Sequence, residues 1–163
     1  MPIELNSDPS RQLFRHTLAT LAYRGGKALR NAPAGFGEFH AGKGLRTPGE
    51  ILAHLGDLLD WALSMAVGEK KWQASTPASW DDGCNRFFAA LIKLDAFLAS
   101  GDPIHAPLEK LFQGPVADAL THVGQIAFLR RMAGAPVKGE NYYAAAIETG
   151  RVGPDQPQPK LEF

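Results

Sequence analysis

Cysteine is nearly absent from this 163-residue chain: Cys84 stands alone, so no internal disulfide can brace the fold. Charge of either sign is not in excess. Seventeen Lys and Arg balance seventeen Asp and Glu, which removes the bulk attraction that holds proteins on phosphate backbones or anionic lipid. Nucleic acid is therefore not an expected partner. Long hydrophobic runs are missing too. The most apolar window, 51–68, is interrupted by His54, Asp57 and Asp60, each costly to place in hydrocarbon, so no membrane span is expected. The opening Met-Pro-Ile-Glu-Leu-Asn has neither the basic flank nor the apolar stretch of a secretory signal, and with the single cysteine it predicts a cytoplasmic location. Convincing runs of alternating apolar and polar residues, the mark of strands, do not occur.

What is present is a globular composition: 45% hydrophobic residues, nine of them Phe and three Trp, in a length that suits one domain over 1–163. The apolar spacing is helical. Asp8 can cap a helix running to about Arg30, with Pro9 in its first turn and a stripe of Phe14, Leu18, Leu21 and Ala28; Gly25 and Gly26 inside it predict a kink or a close backbone approach. Thr47-Pro48-Gly49-Glu50 is a capping-box pattern that opens a second helix, with Ile51, Leu55, Leu58, Ala62 and Met65 on its core face and Gly68 at its end. A third helix, Ser79 to Ser100, aligns Trp80, Cys84, Phe87, Leu91, Leu94 and Leu98 before Gly101. The fourth begins near Gly114-Pro115, carries Val116, Leu120, Val123, Ala127 and Met132, and stops at Gly134 and Pro136. A short helical turn at 107–112, a last short helix at 142–148 and an extended tail over 153–163 complete the reading. Four such stripes predict an all-α four-helix bundle with long connections, one of which, 32–46, is long enough to cross over or to cover a site.

Bundles of this kind build metal sites from inward-facing side chains. His54 lies in register with Ile51, Leu58, Trp61 and Met65, so its imidazole is expected to face inward. Asp118 and His122 stand four apart and Gln125 three further on, all on one face of the fourth helix. His54, Asp118 and His122 would make a facial set with open positions, which suits catalytic zinc or non-haem iron. The competing readings are a hydrogen-bonded core histidine and a capping Asp118.

The stretch Ile51-Leu-Ala-His54-Leu-Gly-Asp57, followed about 65 residues later by Asp118-Ala-Leu-Thr-His122-Val-Gly124-Gln125-Ile126, resembles the DinB-like (DinB/YfiT) superfamily of four-helix-bundle metalloproteins. In that family a His on the second helix and an H-x-x-x-H pair leading into H-x-G-Q bind a divalent ion. His54 matches the first, and His122 with Gly124 and Gln125 the last; Asp118 stands where the family has His. The resemblance implies a divalent metal cofactor (zinc, nickel, manganese or iron) and a low-molecular-weight thiol or other small molecule as partner, in thiol transfer or hydrolysis. A homodimer is expected from the breadth of the apolar faces. The alternative function is a non-catalytic dimeric bundle that serves as a binding or stress-associated module.

Other candidates weigh less. Gly37 to Lys43 has the spacing of a phosphate loop, but Gly44 replaces its Ser/Thr and no strand precedes it. Cys84 sits in an apolar stripe and reads as core. His16 and His105 read as surface residues and His40 as a solvated loop residue. Asp57 reads either as a partner orienting His54 or as solvent-facing. Asn141, Tyr142 and Tyr143 either line a pocket or pack the tail.

Overall fold

The computed structural model describes residues 8–163. The four long periodic segments are helices: α1, Pro9–Leu29; α2, Pro48–Ala66; α3, Trp80–Ser100; and, after the short α4, Leu108–Leu111, the helix α5, Ala117–Met132. Among the described residues no strand occurs, and an isolated bridge pairs Glu140 with Glu162. The caps form as the residue types dictate. Asp8 accepts from the Ser10 N–H at 2.9 Å, and Ser79 from that of Asp82 at 3.1 Å. Thr47 and Glu50 exchange both bonds of a capping box, at 2.7 and 3.2 Å.

α2 packs against α3 and α5, and α1 packs against the same two helices. Between them lie the fully buried Leu18 and Leu21 of α1, Leu55 and Leu59 of α2, Phe87, Leu91 and Leu94 of α3, and Ile126 of α5. Each contributes about 1.5–3 kcal/mol through the apolar surface it removes from water. Gly25 causes no break in α1. A Cβ there would stand 2.6 Å from Phe87 Cζ, so the glycine lets α1 and α3 approach closely.

Two expectations about the fourth segment need correction. The helical path begins before Gly114: α4 continues through a π turn, Phe112–Val116, that contains Pro115 and runs directly into α5. A wider turn tolerates a proline that an α-helical ladder would not. The α5 core face is also different. Ala119, Val123, Ile126, Leu129 and Arg130 are buried, whereas Leu120 and Ala127 are only partly so and Met132 is exposed. The helix carries apolar residues around most of its circumference, and the inner side is decided by Arg130. Its buried guanidinium donates to the carbonyls of Ala28, Arg30, Asn31 and Ala135 at 2.9–3.2 Å, closing the C-terminal ends of α1 and α5 together.

The last segment forms only a short 3-10 turn, Tyr142–Ala144, instead of a helix to 148, and the tail beyond 153 is extended. It is anchored at its end, where Asn141 and Phe163 donate to the carbonyls of Leu161 and Gly139. Beneath it Glu140 is buried, accepting from Lys27 Nζ at 2.6 Å and from Tyr23 Oη at 2.5 Å. Tyr142 packs edge-on to Tyr23 and under the Arg24 guanidinium, whereas Tyr143 is fully exposed and neither lines a pocket nor packs the tail.

Candidate metal centre

α2 and α5 bring His54, Asp118 and His122 together. One ligand atom from each lies within 4.8 Å of the others. Asp118 does not cap α5, because the π turn leads into the helix without a side-chain cap. Its carboxylate instead presents one oxygen to each imidazole: Oδ2 is 3.6 Å from His54 Nε2 and Oδ1 is 3.4 Å from His122 Nε2. The two rings stand nearly perpendicular with centroids 4.8 Å apart. The histidine side chains are 22% and 12% exposed and that of Asp118 is 47% exposed, so the carboxylate marks the open side of the cluster.

Both imidazoles direct Nε2 at Asp118. For His122 this orientation is fixed from behind: Nδ1 is 2.8 Å from Gln125 Oε1, and since an amide oxygen only accepts, Nδ1 donates and the neutral ring presents its Nε2 lone pair to Asp118's side. His54 is held below the usual histidine pKa, chiefly by burial, with the nearby His122 and Arg46 adding to the effect and Asp118 opposing it. It is therefore neutral at pH 7, the state a ligand requires. Trp72 stands edge-on to His54 at 5.8 Å and to Trp61 at 5.5 Å, walling one side of the cluster. Nothing in the sequence marks Trp72 for this place, since it lies in the connection between α2 and α3.

Asp57 is neither a partner of His54 nor solvent-facing. Buried and turned toward α3, it accepts from Ser75 N at 3.0 Å, Ser75 Oγ at 2.7 Å and Arg86 Nη2 at 2.8 Å. Burial alone would raise its pKa, but these bonds outweigh it and hold the carboxyl below the usual range. This network borders a recess of about 830 Å³ lined also by His40 and Trp80 and by none of the three triad residues. His40 thus faces a different opening. The long connection instead buries Phe36 edge-on against Trp80, 5.2 Å between centroids, and only its end, Gly44 to Arg46, reaches the triad's neighbourhood. There it forms one side of a cleft of about 720 Å³ whose other side is α5 with His122, Gln125, Phe128 and Met132. His16 is half-buried and bonds Thr149 Oγ1 at 3.0 Å, whereas His105 is exposed. Cys84 is half-buried, its thiol pushed up to about 11 mainly by burial, which leaves little nucleophilic thiolate at neutral pH.

No helix among the described residues is long and apolar enough to cross a membrane. Comparison with family models, curated proteins and solved structures finds no match for this chain.

Proposed function

We propose that the chain is a DinB-like metalloprotein in which α1, α2, α3 and α5 form the four-helix bundle and His54, Asp118 and His122 hold a divalent ion. The observation that carries this reading is the spacing of the donors. At 3.4 and 3.6 Å, the two imidazole-to-carboxylate distances are longer than ordinary N–H···O hydrogen bonds of about 2.7–3.2 Å. Taking one ligand atom from each residue, the three lie within 4.8 Å of one another, so small side-chain rotations bring them to bonds of about 2.0–2.2 Å around a shared ion. Two imidazoles and one carboxylate suit zinc, nickel, manganese or iron and leave coordination positions free on the Asp118 side.

When bound, such an ion lowers the pKa of a thiol or water brought to it, so that the anion forms near neutral pH; this is the basis of a thiol-transfer or hydrolytic activity toward a small molecule. The chain's own residues do the rest. Gln125 orients His122, burial keeps His54 unprotonated, and Trp72 shields the cluster from water on one side while the half-exposed Asp118 side admits a substrate.

Thermal melts of wild type and His122→Ala, with chelator and with added zinc, nickel or manganese, test the reading. At a hundredfold excess over the dissociation constant the ion stabilises wild type by about 2.7 kcal/mol, roughly 5–11 °C for a domain of this size. His122→Ala loses that increment and retains most of its chelator-treated midpoint. Equal responses of the two proteins refute the metal site.

A further inference from the structure

The cleft of about 720 Å³ that opens from His122 combines three properties. Its volume is within the range of small-molecule sites, about 300–1,000 Å³. Its outer walls are apolar: Leu45, Phe128 and Met132 all line it, and Phe128 and Met132 are 61% and 48% exposed where α5 could have carried polar residues. Its lining near the triad is cationic. Arg46 lies close enough to His54 to act on its charge, lines the cleft, and has neither an ion pair nor a hydrogen bond among the described residues. A divalent ion at the triad outweighs the single carboxylate of Asp118, and Arg46 adds to it, so charge favours an anion at this end and apolar matter toward Phe128 and Met132.

We propose that the cleft binds an amphipathic organic anion, with its carboxylate held at the Arg46 and His122 end and its apolar body laid along Leu45, Phe128 and Met132. The proposal rests on the metal reading of the triad and names the substrate class of that site. Arg46 is the specificity residue for the charge. Its planar fork pairs with a carboxylate bidentately, and no acid among the described residues pairs with it. The apolar walls set the length of the body.

Isothermal titration of the full chain with sodium octanoate, octanol and acetate tests this, after a zinc titration that reads the metal site alone. Zinc-loaded protein binds octanoate at least tenfold tighter than octanol or acetate. Affinity rises roughly two- to fourfold per methylene from hexanoate to decanoate. Arg46→Gln loses about tenfold for octanoate, with zinc affinity undiminished. The double variant Phe128→Ser, Met132→Ser keeps zinc binding and flattens the chain-length dependence; both residues are exposed, so the fold survives. Octanoate no tighter than octanol, or an unaffected Arg46→Gln, overturns the anion. Length-independent affinity overturns the apolar body. A dimer by light scattering that the double variant dissociates, with no octanoate binding, gives this face to a second copy and overturns the proposal. Zinc binding without octanoate binding refutes this proposal alone, whereas absence of zinc binding refutes the metal reading and this proposal with it.

Discussion

Gln125→Leu isolates the contribution of a residue that would not touch the metal. The Gln125 Oε1 to His122 Nδ1 distance of 2.8 Å is that of a well-formed hydrogen bond, and Gln125 is exposed, so its role is to fix the imidazole's tautomer and angle. Loss of such a partner typically weakens metal binding by about 10- to 100-fold. Exposure to water, which can replace the acceptor, puts this case near tenfold, or about 1.4 kcal/mol. At a zinc concentration one hundred times the wild-type dissociation constant, the variant sits at ten times its own. Its metal-dependent stabilisation then falls from about 2.7 to about 1.4 kcal/mol, and the rise in midpoint from roughly 5–11 °C to roughly 3–6 °C. In chelator the two proteins differ by no more than about 0.5 kcal/mol, because one exposed hydrogen bond is lost and no buried group is orphaned. Gln125→Glu restores the response, since a carboxylate accepts from Nδ1–H more strongly than an amide. Differential scanning fluorimetry over a zinc titration measures all three proteins. A Gln125→Leu variant with the full wild-type increment would refute the reasoning, as would one whose loss is the same in chelator.

Glu140→Gln leaves Lys27 buried with only Glu162, 3.7 Å away, as an ionic partner, and is expected to cost about 3 kcal/mol, the lower end for a broken buried pair; circular-dichroism melts showing a loss under about 1 kcal/mol would contradict this. Because the Asp57 pKa is depressed in the fold, its contribution is complete above the reference value of 3.8 and disappears as pH falls through the lower folded value. Asp57→Asn therefore costs about 2 kcal/mol at pH 7, and urea-melt stabilities of the two proteins converge below about pH 4; a constant gap through that range would count against the network. Gly25→Ala gains about 1 kcal/mol of helix propensity but drives a methyl into the fully buried Phe87, so a net loss of about 1–2 kcal/mol is expected, and a raised denaturation midpoint would show that α1 and α3 are not in such close contact.

Local chemistry alone determined the N-terminal ends of α1, α2 and α3 and the C-terminal end of α3. The Thr47–Glu50 capping box, Asp8 and Ser79 at N-termini, and Gly101 in a left-handed conformation after α3 need no information beyond a few neighbouring residues. The stripes of α1, α2 and α3 were legible from their helical spacing, and Phe14, Leu18 and Leu21, Ile51, Leu55 and Leu58, and Phe87, Leu91 and Leu94 are buried as it predicts; burial also reaches Ala19, Ala22 and Tyr23 of α1 and Leu52 and Leu59 of α2, while Met65 is only partly buried. The helical register also placed Asp118, His122 and Gln125 on one face, because that relation lies within a single helix. The buried side of α5 was a tertiary decision. Its apolar residues surround the axis, so the choice fell to the pairing of Arg130 with carbonyls of the α1 end, groups about one hundred residues away in sequence that no local pattern reveals. The fusion of α4 to α5 through a proline-bearing π turn was decided there too, against the local preference of Pro to start a helix. The same holds for Asp57, whose partners come from α3 and the connection before it, and for Trp72 and Arg46, which reach the triad from loops. Periodicity tells which residues share a helix face. Which faces meet, and which loop residues close around them, follows only from packing all the elements into one volume.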